Sequence, residues 1–96
     1  MKKRAGSQDG VAEIMVRKLR VEEALSLVDA FIDRSFREGR ARVRVIHGKG
    51  TGTLRKAVQD DLARHPLVAG FALAEWWQGG LGATVVELHP IRADSY

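Results

Sequence analysis

The sequence contains no cysteine, only two prolines and no apolar run that approaches the length of a membrane span. Without cysteine there is neither a disulfide framework nor a thiolate zinc site, which fits a reducing compartment. Without a long apolar run there is no transmembrane helix. The opening Met1-Lys2-Lys3-Arg4 lacks the apolar stretch of a secretory leader, so a cytoplasmic location with no membrane partner is expected. The three histidines, at 47, 65 and 89, show no metal-ligand spacing. Internal repeats and low-complexity stretches are also missing.

What is present fits one small domain: 96 residues, 45% of them apolar. The net charge of +4 is modest, but its placement is uneven. Residues 1–20 hold six basic and two acidic side chains, and residues 39–59 hold six more basic ones and no acidic one. Segments 21–38 and 60–96 together carry four bases against ten acids. Such segregation is the footprint of a surface that faces a polyanion, or of a solvated face that happens to be basic.

Periodicity predicts the order strand, helix, strand, helix, strand, strand. Residues 1–10 read as a disordered lead-in, 11–89 as the folded domain and 90–96 as a loose tail. A first strand is expected over Val11–Val16. A helix follows over Val21–Arg37, apolar at 21, 24, 25, 28, 31 and 32 and closed by Gly39. Arg42–Ile46 alternates as a second strand, and Thr53–Arg64 forms a second helix that ends at His65-Pro66. A third strand is expected over Phe71–Trp76, a turn over Gln78–Gly82 and a fourth strand over Ala83–Leu88. The fold class is α/β. Two helices should cover one face of a four-stranded mixed sheet in a two-layer sandwich, with the first two strands parallel and the last two an antiparallel hairpin. The other face is then open, with Glu13, Met15, Arg17, Arg42, Arg44 and Ile46 on it.

Parallel strands end at one edge, so Arg17 and His47, thirty positions apart in sequence, become neighbours at the place where α/β sheets hold ligands. The loop His47-Gly-Lys-Gly-Thr-Gly52 occupies that edge. Its glycines let backbone N–H groups approach an anion, and the helix that follows contributes unpaired amides. Lys49 supplies a point charge, Thr51 or Thr53 a hydroxyl, and His47 a group that titrates near neutrality. Neither a P-loop nor a dinucleotide fingerprint matches the spacing. The bland alternative is a tight glycine-rich connection with no ligand. Trp76-Trp77 could stack on bases, dock a protein or pack at a strand end. Asp60-Asp61 reads as surface solvation.

Three blocks, Ile14–Leu25, Val45–Gly52 and Gly79–Leu88, together resemble the Smr (small MutS-related) domain. The resemblance implies a nucleic-acid endonuclease, nicking DNA in the MutS-linked branch and connected with recombination control or repair, with related proteins acting on RNA at ribosomes. The family signature His-Gly-x-Gly is intact at His47–Gly50. In Leu-Asp-x-Arg/His-Gly, Arg17 keeps the basic position while Met15 replaces the aspartate and Lys18 the glycine. The roles that follow are His47, Arg17 and Lys49 in catalysis, with Arg17 and Lys49 on the scissile phosphate and His47 as general acid or base. Lys18, Arg20, Arg42, Arg44, Gly48, Gly50, Thr51, Gly52, Arg55 and Lys56 would bind the nucleic acid. The expected partner is DNA, branched or duplex, with RNA or the ribosome as the other candidate. A divalent metal is compatible with DNA cleavage, although no ligand cluster is visible. Glu13 is a substitute carboxylate to consider. Because methionine can neither accept a proton nor hold a metal, the competing reading is a non-catalytic DNA- or ribosomal-RNA-binding module of a larger ATPase.

Overall fold

Val43 and Val45 alternate with Arg42 and Arg44, so one face of this short segment must be buried and the other polar. In the computed structural model, which describes residues 11–78 and 80–91, that segment is a central strand. Strand β1 spans Ala12–Met15, helix α1 Val21–Arg37, β2 Arg42–Ile46, α2 Thr53–Ala63, β3 Val68–Leu73 and β4 Ala83–Leu88. The sheet order is β1-β2-β4-β3, with β1 parallel to β2 and both other pairings antiparallel. The expected lead-in and all but the start of the expected tail lie outside the described residues.

The core forms where the helices meet the sheet. Helix α1 buries Ala24, Val28, Phe31, Ile32 and Ser35, a stripe at helical spacing, and α2 adds Val58 and Leu62. Against them stand Val16, Val43, Val45, Val86 and Leu88 from the strands. Removing a fully buried side chain such as Ile32 or Leu62 would cost about 2–5 kcal/mol. Helix α1 has no side-chain cap at Arg20, but Glu22 and Glu23 in its first turn and Arg34 and Arg37 in its last oppose its dipole. It stops at Gly39, which takes φ 79° so that its own N–H and that of Arg40 reach the carbonyls of Phe36 and Ser35.

The third strand corrects the sequence-based expectation. It runs over Val68–Leu73, three residues earlier than the predicted Phe71–Trp76. The register slips between Val68 and Gly70, so Val68 and Phe71 both pack on the core although three positions separate them. That bulge breaks the two-residue alternation and hides the beginning of the strand. Beyond Leu73 the chain leaves the sheet. Trp76–Gln78 and Gly80–Gly82 are short 3-10 turns rather than strand end and simple turn.

Candidate functional site

The carboxyl ends of β1 and β2 meet at one edge: Met15 pairs with Ile46, and the Val16 N–H donates to the Ile46 carbonyl at 2.8 Å. Antiparallel β4 begins there, Ala83 opposite Ile46. The loop 47–52 is pinned to this edge by one acceptor, because the N–H groups of His47 and Gly48 both donate to the Gly82 carbonyl, at 3.0 and 2.9 Å. Gly48, Gly50 and Gly52 all lie in the left-handed region, with φ of 82°, 36° and 91°. At Gly48 the requirement is double. A Cβ there would stand 2.6 Å from Arg17 Cγ, so glycine permits both the turn and the close approach of Arg17. Gly52 then becomes the N-terminal boundary of α2, whose first turn has neither a side-chain cap nor an acidic residue. Only a long contact of 3.4 Å from the Thr53 N–H to the Thr51 hydroxyl approaches that role.

The result is a groove of about 360 Å³. Arg17, Lys18, Lys49 and Arg55 supply positive charge, Thr51 and Thr53 hydroxyls, and Leu19, Val21 and Leu54 an apolar wall. No Asp or Glu lines it. Arg17 and His47 are thus neighbours across thirty positions of sequence. Lys18 is the only non-glycine residue among those described with positive φ, at 71°. It stands where the Smr signature has glycine, so the backbone there keeps a glycine conformation with a lysine in it.

His47 lies deeper than a freely titrating base. It is 3% exposed and follows the helix-facing parity of Val43 and Val45. Its Nδ1 is 2.9 Å from the Gly48 carbonyl, and its Nε2 2.8 Å from the Thr84 hydroxyl. A carbonyl can only accept, so Nδ1 carries a proton, and in the neutral ring Nε2 then accepts from the Thr84 hydroxyl. Gln59 Nε2 in turn donates to the Thr84 oxygen at 3.0 Å. Burial pushes the imidazole below its usual pKa; the Gly48 carbonyl works against that, and the charge on Arg55 reinforces it. His47 is therefore neutral and tied at both nitrogens. Thr84, Gln59 and Gly82 are the participants that sequence reasoning missed. The signal for Thr84 was its parity, a polar residue on the strand face shared with Val86 and Leu88.

Four expected ligands of nucleic acid, Arg20, Arg42, Arg44 and Lys56, are not in this groove. Arg42 and Arg44 lie on the opposite sheet face, where Arg42 pairs with Glu87 at 2.9 Å and buried Arg44 with Glu13 at 3.5 Å. The basic open face expected from alternation is thus largely neutralised by register partners on flanking strands. Glu13 is committed to that pair rather than to the groove. Arg20 occupies the N-terminal boundary position of α1 outside the groove, without capping it through its side chain, and Lys56 is exposed on α2 beside Asp60 at 3.3 Å.

A model of the family described as "Smr domain" matches residues 14–89. The chain belongs to the Smr domain family. It is 55% identical over 76 residues to an Endonuclease MutS2 of Thermomicrobium roseum, covering 79% of this chain and 10% of that one. To the Endonuclease MutS2 of Clostridium tetani it is 47% identical over 77 residues, or 80% of this chain and 10% of the relative. The Smr domain therefore spans about a tenth of the length of these curated relatives. The crystal structure of the Smr domain of Thermus thermophilus MutS2 superposes with a TM-score of 0.81 at 44% identity, over 83% of this chain and all of that one. YdaL, a stand-alone small MutS-related protein from Escherichia coli, matches with a TM-score of 0.76 at 29% identity, over 90% of this chain and 79% of that one. The α/β sandwich and the family resemblance read from the sequence both agree with these comparisons. Among the described residues no helix is long and apolar enough to cross a membrane.

Proposed function

We propose that this Smr domain binds nucleic acid by holding a backbone phosphate in the groove between the residue 17–19 turn and the residue 47–52 loop. One observation carries this reading. Four cationic side chains and an uncapped helix start converge on a groove whose lining contains no carboxylate. His47 acts as a positioning residue: its Nδ1–H holds the Gly48 carbonyl, and so the turn on which Lys49 is carried. The relatives' name, Endonuclease MutS2, gives nucleic acid as the substrate class, and DNA is the member of it that we propose. A branched substrate would connect the domain with recombination or repair.

A second reading, strand cleavage, draws on the same convergence. Arg17 and Lys49 come from separate segments and would both contact one phosphate, stabilising the charge that develops as the phosphodiester is attacked. On DNA the attacking group is water, and on RNA the ribose 2′-hydroxyl can serve. The donors that line the groove, guanidinium, ammonium, hydroxyl and amide, do not fit a divalent cation, and among the described residues no group of three His, Cys, Asp or Glu could hold one.

Binding of labelled branched DNA, duplex DNA and matching RNA across a salt series tests the first reading. Affinity should fall with a log–log slope of roughly −3, as expected if the four groove cations together neutralise the held phosphate and its neighbours along the strand. An affinity indifferent to salt would overturn it. Incubation with supercoiled plasmid, with and without chelator, tests the second. Nicking that disappears in Arg17→Ala and Lys49→Ala supports cleavage by the domain, and equal nicking in all three proteins removes it.

A further inference from the structure

The same sheet edge carries a feature that phosphate binding leaves unused. Trp76 and Trp77 are 83% and 63% exposed, in the connection between β3 and β4. Core packing does not explain this pair. Trp76 and Trp77 meet edge to face, ring centroids 5.7 Å apart at 89°, so one edge covers one ring face and three faces stay clear of the partner ring. Topology fixes where the connection sits. It ends at Gly82, whose carbonyl anchors the amides of His47 and Gly48 and whose α-carbon lies against Lys49, a Cβ placed there falling 3.6 Å from Lys49 Cγ. The connection that carries the exposed rings and the loop that carries Lys49 therefore meet at one sheet edge.

We propose that Trp76 and Trp77 form a stacking platform for unpaired bases of the same strand whose phosphate the groove holds. The inference rests on the groove being a phosphate site. Charge complementarity selects the occupant. A strand threaded past Arg17, Lys18, Lys49 and Arg55 is polyanionic, and indole faces beside a cationic groove are the arrangement that takes bases without regard to sequence. Bases locked inside a duplex present no free face, so the platform gives the Smr domain a preference for single-stranded or branched nucleic acid.

The two tryptophans are the only ones in the chain, so emission excited selectively from tryptophan, to the red of the Tyr96 absorption, reports on this platform alone. The experiment titrates the full chain with a thymidine oligonucleotide, a duplex of equal length and heparin as a polyanion without bases. The oligonucleotide should quench the emission, whereas heparin should bind without comparable quenching. Trp76→Ala/Trp77→Ala should lose about tenfold or more in single-strand affinity, with duplex affinity changed less than twofold. Trp76→Phe/Trp77→Phe should restore most of the loss, and unchanged thermal melting shows that the variants fold. If the oligonucleotide binds without quenching, or if the alanine pair binds it as tightly as wild type, stacking is overturned while the groove reading stands. A loss equal on single strand and duplex also overturns it. If wild type binds none of the three polyanions, the groove reading fails and the platform falls with it.

Discussion

Arg17, Lys18, Lys49 and Arg55 line a groove with no carboxylate in its walls, whereas Arg42 and Arg44, across the sheet, each meet a glutamate from a neighbouring strand. Both sets come from the two stretches of sequence richest in basic residues. Their electrostatic fates differ because of strand register. Glu13 and Glu87 are brought opposite Arg44 and Arg42 by parallel and antiparallel pairing, while the groove is built from turns that no acidic residue enters. A paired arginine projects little field beyond its partner. A cluster of cations around an amide-rich loop keeps its potential for an incoming anion.

The strongest way to break this contrast is at Gly48. Gly48→Ala forces a left-handed alanine and drives a methyl group to within 2.6 Å of Arg17 Cγ, so Arg17 must leave its position. The variant should lose about 1–3 kcal/mol of stability in denaturant melts and about tenfold or more in DNA affinity. Gly50→Ala is the control, because nothing lies within 4 Å of a Cβ there and only the backbone is strained. Equal effects at both positions would mean that the Arg17 contact is irrelevant.

Lys49→Ala comes next. Removing one groove cation should weaken binding about fivefold to tenfold and reduce the salt slope by about one. Arg17→Ala should behave alike on every sequence tested, because phosphate contacts position a strand without reading it.

Much of this site was legible in the sequence because local rules and topology agreed. The alternation Arg42-Val43-Arg44-Val45 fixes a strand, the glycines at 48, 50 and 52 announce a turn, and a parallel crossover brings Arg17 to His47. What escaped depended on register. Alternation correctly placed Arg42 and Arg44 on the open face, but which glutamate stood beside each was not readable until the strands were paired. The bonding of His47 escaped for the same reason, since Thr84 lies 37 positions away and becomes its partner only through β2–β4 pairing. The bulge before Gly70 displaced the third strand because one extra residue cancels the period on which the prediction relied.

His47 in the groove and Asp29 on α1 give the fold opposite pH dependences. The folded pKa of His47 lies below the 6.5 usual for histidine, so the unfolded chain binds the proton more readily. This contribution is present above about pH 6.5 and is lost as pH falls. Asp29 pulls the other way. Burial first, then the hydrogen bond and charge of Asp61, push its carboxyl up to about 6, so ionising it as pH rises from 4 through 6 reduces stability. Asp29 is half exposed, and solvent screening keeps its effect small. Chemical denaturation should show wild type losing stability relative to His47→Gln as pH falls from 7 to 5, whatever the Asp29 contribution common to both. Asp29→Asn should gain more at pH 7.5 than at pH 4.5. A fall of the same steepness in His47→Gln would show that the histidine is not the group responsible.

Lys18 sharpens the contrast because it sets stability against binding at a single residue. Its φ of 71° costs a non-glycine residue about 1 kcal/mol. Lys18→Gly should recover roughly that much stability while lowering DNA affinity by the worth of one cation, about threefold to fivefold. If stability and affinity rise together, the lysine has no part in the groove.

The smallest expected effect decides whether the contrast is real. Arg42 and Glu87 form an exposed pair, so removing either side chain should cost less than about 1 kcal/mol. Arg42→Ala leaves Glu87 without its partner and makes the open face more acidic by one charge. A strand held only in the groove lies across the sheet from that change and should feel it weakly, with affinity altered by less than about twofold at moderate salt, where charges farther apart than the ~10 Å Debye length are screened. A loss as large as that of Lys49→Ala would mean that nucleic acid wraps the sheet edge and displaces Glu87 from Arg42. The two regions would then be one interface, and the ion pairs seen in the free domain would be its resting state.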